Sequence, residues 1–228
     1  MKWLDALLHL FYPPQCTACR EVLNADEKYI CFNCRFLLPK TGFHSEHDNP
    51  MEKIFIGRVP VESASAYLYF EAGSKVQNLL HYIKYKGMKE AAAEIGIWYG
   101  EELKESRLNN IDVIIPVPLH KSKERKRGYN QSEWFAKGMG EGMSKPVDTS
   151  SLIKIKKTES QTKKTRLQRQ MNVAESFSIK NVEKLANKHI LLVDDVITTG
   201  ATLEACTQTL LALNCGIKIS IATIAFAT

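Results

Sequence analysis

The segment I-L-L-V-D-D-V-I-T-T-G-A-T, residues 190–202, constrains this 228-residue chain more than any other stretch. Ile190, Leu191, Leu192 and Val193 read as a buried strand that delivers two adjacent carboxylates, Asp194 and Asp195, followed by a turn of small residues and a helix start. Thr198, Thr199, Gly200, Ala201 and Thr202 place backbone N–H groups and hydroxyls around that helix N-terminus, where unpaired donors and the helix dipole favour an anion such as phosphate. Gly200 lets the backbone approach a ligand closely. In an open α/β sheet the carboxyl ends of the strands face the ligand crevice. Carboxylates are poor phosphate ligands but good acceptors for sugar hydroxyls, so the combination suits a phosphorylated ribose.

The surrounding pattern agrees with such a sheet. Residues 63–70 alternate and are aromatic-rich, as in a strand, and residues 75–85 set Val76, Leu79, Leu80 and Ile83 at helical spacing. A second helix is expected over 88–104, a short buried strand over 111–117, and a helix over 129–143 weakened by Gly138, Gly140 and Gly142. Helical spacing returns at 203–213, and 217–225 reads as a last strand. Strands alternating with helices imply an α/β fold with an open, mostly parallel sheet and helices on both faces. Residues 41–52 read as a polar linker, and 154–170 as a long mobile connection of the kind that usually serves function.

Charge is regional. Residues 116–172 hold fourteen basic and five acidic side chains, a local excess of +9 against +6 for the whole chain, which points to a polyanionic ligand. Four of the six cysteines fall in two C-x-x-C knuckles, Cys16 with Cys19 and Cys31 with Cys34, a spacing that closes a tetrahedral metal site. Structural zinc is favoured, although a single-iron site shares the spacing. His44 and His47 read as exposed linker histidines, and Cys206 and Cys215 as ordinary buried thiols. The N-terminal MKWLDALLHLFYPP has no cleavage pattern and no later run approaches a membrane span, so a cytoplasmic protein without membrane insertion is expected.

Residues 190–202 resemble the phosphoribosyl pyrophosphate (PRPP) signature of type I phosphoribosyltransferases: apolar run, acidic pair and T-T-G-x-T fall in register. The resemblance implies that Asp194 and Asp195 hold the ribose 2′ and 3′ hydroxyls and that Thr198, Thr199, Gly200, Ala201 and Thr202 hold the 5′-phosphate. The knuckles, Lys84-Tyr85-Lys86-Gly87, R-G-Y-N-Q at 127–131, and the Gln161, Arg169, Asn172 element extend it over almost the whole chain to the ComF family of competence-associated phosphoribosyltransferase-like proteins. The division expected is a four-cysteine module and linker at 1–50 and a phosphoribosyltransferase-like domain at 51–228.

In the implied arrangement Lys123, Arg125 and Arg127 meet the pyrophosphate of PRPP, and a closing segment brings Arg166 and Arg169. Concentrated cations and Mg²⁺ on the leaving oxygens would then stabilise the charge that develops as pyrophosphate departs from the anomeric carbon, making Asp194, Asp195, Arg166 and Arg169 the catalytic set. The acceptor is not readable. Two other readings stand beside transfer: a PRPP sensor without turnover, and a single-stranded DNA binder using the basic stretch with Tyr129, Trp134 and Phe135. The family likeness adds DNA uptake as the setting and competence-machinery proteins as partners.

Overall fold

The strands that build this molecule are too apolar to leave either face in water. In the computed structural model, which describes residues 12–155 and 176–227, six strands form: β1 (Ser63–Phe70), β2 (Val113–Pro116), β3 (Leu152–Lys154), β4 (Phe177–Ile179), β5 (His189–Ile197) and β6 (Lys218–Ala227). Four of them pair in parallel in the order β1-β6-β5-β2, and β3 and β4 make a separate antiparallel pair. Ile190, Leu191, Leu192 and Val193 are fully buried at the centre of the main sheet. A sheet covered on both faces is what an all-parallel arrangement requires.

Seven α-helices are described: α1 (Phe32–Leu37), α2 (Pro50–Lys53), α3 (Lys75–Tyr85), α4 (Lys89–Leu103), α5 (Lys121–Arg127), α6 (Gln131–Met143) and α7 (Ala201–Leu211). On one face α3, α4 and α6 cover Leu191, Val193, Ala222 and Ile224. Helix α3 starts at the Ser74 cap and buries Val76, Leu79, Leu80 and Ile83, each side chain contributing about 1.5–3 kcal/mol. On the other face α7, the β3–β4 pair and the residues around α2 cover Ile190, Leu192, Ile219 and Ile221. The fold is thus the expected α/β type, with helices on both faces of a parallel sheet.

The four-cysteine segment packs into the first of these cores, where Cys16, Ala18, Leu23, Ile30, Cys34 and Leu38 join the side chains of α3 and α4. The chain leaving it then runs beside β1. Thr41 donates its N–H to Tyr67 O at 3.0 Å, Tyr69 donates to Pro39 O at 2.8 Å, and Lys40 lies opposite Leu68. On the far side of the sheet, Ile114 donates to Pro146 O and Asp148 to Ile114 O, both at 2.9 Å.

Residues 41–52, expected as a linker, fold against the core instead. Asn49 caps α2 by accepting from the Met51 and Glu52 N–H groups and donates to Phe43, Glu46 and Ala64 carbonyls, while Phe43 and Met51 are fully buried. His44 is half-buried, its ring edge-on to Tyr99 at 6.1 Å, rather than exposed. His47 is exposed and meets Arg107 at 2.9 Å.

The glycines of α6 also act differently from their propensity. A β-carbon on Gly138 would stand 2.0 Å from Ala93 O, and one on Gly142 would stand 2.5 Å from Ile97 O. Helices α4 and α6 cross with their backbones in contact, and only glycine permits that approach. The intrinsic cost of glycine in a helix, about 1 kcal/mol each, is outweighed by packing.

Candidate functional site

Strands β2 and β5 are neighbours, yet the chain leaves them toward opposite faces: β2 leads to α5 and α6, β5 to α7. This divergence opens a crevice at their carboxyl ends, the usual ligand position in an open α/β sheet. Asp194 and Asp195 stand there. Strand β5 does not stop at Val193 but runs through both to Ile197, pairing Asp194 with Thr223 of β6. The acidic pair therefore projects from strand backbone rather than from a loop, with Asp194 held in the ladder beside β6.

Each carboxylate has its own partner. Asp194 Oδ1 accepts from Ser132 Oγ at 2.8 Å and from the Asp195 N–H at 2.9 Å. Burial pushes the Asp194 carboxyl up to about 7, with the Asp195 charge adding to the rise and the Ser132 bond opposing it. Some of its surface still reaches solvent, so it is open to a ligand. Asp195 is buried, and its Oδ2 lies 3.0 Å from Lys84 Nζ at the end of α3.

Residues 197–203 wrap a hollow of about 70 Å³ floored by Asp194. Gly200 has φ +75°, which a side chain would strain, and its β-carbon would meet Ile54 Cγ2 at 2.8 Å. Helix α7 begins directly after it, with Ala201 at its first position and its N–H groups at the hollow. Arg58 secures this turn from outside. It donates to Thr199 O at 2.8 Å and Ile54 O at 3.0 Å, and its Nε meets Glu204 Oε2 at 3.0 Å. No sequence signal marked Arg58, because a lone arginine 141 positions from Thr199 carries no pattern.

The R-G-Y-N-Q element is largely a clamp. Asn130 caps α6 by accepting from the Ser132 N–H at 3.1 Å and donates to Val117 O at 3.0 Å, fixing the loop after β2. Tyr129 donates to Ile83 O of α3, and Arg127 to Gln131 while lying 5.5 Å over the Tyr85 ring. The cap is what sets Ser132 against Asp194. Ser132 was missed in the sequence because it directly follows the motif. Helix α5, expected as a basic turn, presents Lys123 and Arg125 to solvent, with no ion pair among the described residues. Lys154 of β3, also missed, rests its ammonium 4.8 Å from the Phe177 ring, and burial lowers its pKa. Gln161, Arg166, Arg169 and Asn172 lie outside the described residues.

Of the aromatics considered for nucleic acid, Phe135 is fully buried in the core, and Trp134 is half-buried beneath Lys89 at 4.4 Å and Lys137 at 5.3 Å. Cys206 is fully buried and Cys215 partly so.

The ligand atoms of Cys16, Cys19, Cys31 and Cys34 lie within 4.8 Å of one another, with Cys19 and Cys31 Sγ 3.6 Å apart. Cys31 N–H donates to Cys16 Sγ and Cys34 N–H to Cys31 Sγ, each at 3.4 Å. Burial opposes ionisation of Cys16, but the N–H groups of Cys19, Cys31 and Ala18 outweigh it and bring the thiol to about 7. Four converging sulfurs with backbone donors fit a tetrahedral metal. They form the one such cluster among the described residues, and neither histidine near them joins it. No described helix is long and apolar enough to cross a membrane.

Residues 121–227 match the phosphoribosyl transferase domain family. The DNA utilization protein YhgH of Salmonella typhimurium is 25% identical over 217 residues, covering 89% of this chain and 92% of that protein. Competence protein ComFC of Bacillus subtilis is 26% identical over 205 residues, 83% of this chain and 80% of its own length. Among solved structures, the allosteric regulatory enzyme of purine biosynthesis aligns at 20% identity with a TM-score of 0.39 over 57% of this chain, which spans 26% of that longer protein. The chain thus carries a phosphoribosyl transferase domain on the phosphoribosyltransferase fold and is similar, over most of its length, to proteins of competence and DNA utilization.

Proposed function

We propose that the chain binds PRPP with Mg²⁺ and transfers its phosphoribosyl group, releasing pyrophosphate, in the handling of DNA taken up by the cell. The observation that carries this reading is the junction of β5 and α7, where an acidic pair on strand backbone leads directly into a glycine turn at a helix N-terminus. A ribose 5-phosphate fits both halves: hydroxyls on Asp194 and Asp195, phosphate among Thr198, Thr199, Gly200, Ala201 and Thr202. Lys123 and Arg125, exposed on α5, are the described cations available to pyrophosphate, with Arg127 behind them. Arg166 and Arg169 would complete the cationic set. Mg²⁺, entering with PRPP, would neutralise the leaving oxygens. The chain's own residues orient the ribose, hold the phosphate and gather positive charge around the departing group.

The four cysteines would hold zinc as a structural element in a reducing cytoplasm, and proteins of the competence machinery would be the partners. Calorimetry of PRPP with and without Mg²⁺, on the wild type and on Asp194→Asn/Asp195→Asn, tests the site. Binding that needs Mg²⁺ and vanishes in the double variant supports it, and unchanged binding in that variant refutes it. Pyrophosphate release with pooled acceptors then separates turnover from sensing.

A second reading has an observation of its own. Tyr85 is 67% exposed beneath Arg127, and Lys121, Lys123, Arg125 and Lys126 line exposed positions of α5 nearby in the chain. Cations beside an exposed aromatic ring suit single-stranded nucleic acid. Binding to labelled single strands that weakens steeply with salt would support it, and a flat salt response would exclude it.

A further inference from the structure

The contact between Lys84 and Asp195 has an unusual geometry. Asp195 Oδ2 is shielded from solvent and has no directed hydrogen bond among the described residues, yet Lys84 Nζ stands 3.0 Å away. The ammonium supplies charge to this enclosed oxygen, and Oδ1 of the same carboxylate, which makes no hydrogen bond among the described residues, is the one left for a ligand. Asp194 is arranged in the same spirit: Oδ1 is occupied by Ser132 and the Asp195 N–H, and Oδ2 has no hydrogen bond among the described residues. Each carboxylate keeps one oxygen for a ligand hydroxyl.

Two adjacent carboxylates in a crevice resist ionising together, and a buried one without a cation costs several kcal/mol. A protonated carboxyl would donate one hydrogen bond and lose part of its capacity to accept from a diol. Lys84 is placed to prevent this. Its side chain is 24% exposed, its stem lies on α3, and the carbonyl one residue earlier, Ile83 O, is held by Tyr129 next to the cap that sets Ser132. The end of α3 and the start of α6 are thus tied together while each serves one member of the acidic pair.

We infer that Lys84 is a positioning residue for the ribose: its ammonium holds Asp195 by Oδ2, and its charge favours the acceptor form of the adjacent Asp194, so that the pair can take a vicinal diol. This rests on the reading of the site as a phosphoribosyl binder. Charged and titratable groups acting on the pair come from four elements: Lys84 on α3, Lys154 on β3, Cys206 on α7, and the two aspartates themselves on β5, with Ser132 of α6 as the neutral donor. Lys84 is the cation in contact.

The test has two independent arms on the full chain carrying its metal. In the first, carbon-13 NMR follows the Asp194 and Asp195 carboxyls of the ligand-free protein through pH 5–10 (about five units) in the wild type, Lys84→Met and Lys84→Arg. Lys84→Met is expected to raise the Asp194 titration, and Lys84→Arg to leave it near wild type. In the second, calorimetry with PRPP and with ribose 5-phosphate is expected to show Lys84→Met weakened about tenfold or more at neutral pH, recovering as the pH rises, and Lys84→Arg close to wild type. A carboxyl titration that does not move in Lys84→Met overturns the inference. So does a loss of affinity equal at every pH, which would mark Lys84 as a plain contact. If the titration moves as expected but neither sugar phosphate binds the wild type, the reading of the site fails while the role of Lys84 on the acidic pair stands.

Discussion

Ser132, at the second position of α6, donates its hydroxyl to Asp194 Oδ1 across 62 positions of sequence, at 2.8 Å. The bond lowers the carboxyl against the rise caused by burial and by Asp195. It also uses one oxygen and directs the other to the crevice. Ser132→Ala should therefore raise the Asp194 titration further and weaken PRPP binding about five- to tenfold at pH 7, for a stability loss near 1 kcal/mol. Calorimetry and urea unfolding measure the two effects separately, and Ser132→Thr should restore most of the first.

Ligand-free stability should fall as pH rises from about 4 to about 7. The Asp194 carboxyl is raised from an ordinary 3.8 to about 7, and Glu94 from 4.5 to about 7, in both cases chiefly by burial. A folded state that holds its protons more tightly than the unfolded chain is favoured at low pH and loses that advantage between the two values. From these two groups the melting temperature should decline between about pH 4 and pH 7 and then level off. Asp194→Asn should flatten part of that decline in a thermal scan, while abolishing binding of PRPP.

Arg58 braces the turn between β5 and α7 from outside the hollow. Its guanidinium bridges Thr199 O, Ile54 O and Glu204, whose side chain is 13% exposed. Arg58→Ala leaves that carboxylate unpaired and the turn unsupported. A loss of about 1–3 kcal/mol in stability is expected, with PRPP affinity reduced several-fold. Arg58→Ala/Glu204→Ala should recover part of the stability but not the affinity, as read by unfolding and calorimetry.

Helix propensity favours Gly138→Ala by about 1 kcal/mol, and the crossing of α4 over α6 opposes it. With Ala93 O 2.0 Å from the new methyl group, backbone must move against backbone. Destabilisation of about 3 kcal/mol or more is expected in chemical unfolding. A stabilised variant would mean that the two helices can separate freely.

Removing metal should act on the fold as well as on the knuckles. Cys16, Cys31 and Cys34 belong to the same core as α3 and α4. Chelation, or Cys34→Ser, should lower the melting temperature of the whole chain by about 10 °C or more, with one metal per chain lost in elemental analysis.

Much of this was legible because the decisive signals are local. The apolar run, acidic pair and small-residue turn are contiguous, and α3 carries its period openly at Val76, Leu79, Leu80 and Ile83. What escaped was either short or distant. Helix α5 is polar on every side, so no apolar period betrayed it; the His120 cap and Gly128, with φ +88°, define it. Asn49-Pro50 fell within the expected linker, although Asn before Pro at the first helical position is equally a helix start, and burial of Phe43 and Met51 decides between them. Ser132 and Lys84 reach the site from α6 and α3, and Arg58 from the loop between α2 and β1, so their roles follow from tertiary placement. The glycines of α6 were seen but given only their intrinsic cost, because their partner backbone on α4 lies about forty residues away.

The pairing of residues 39–41 with β1, and of Pro146–Asp148 with β2, has a consequence for handling the protein outside its native form. A parallel sheet of four strands has two outermost strands, each offering a row of backbone groups to any passing extended chain. Here both rows are partly occupied from within, one of them by the stretch that descends from the cysteine knuckles. Trimming the N-terminus through Thr41 would strip that protection from β1, where Leu68 is fully buried and Tyr67 nearly so. The truncated protein should self-associate by strand addition, so loss of the knuckles should register first as insolubility and only then as lost activity.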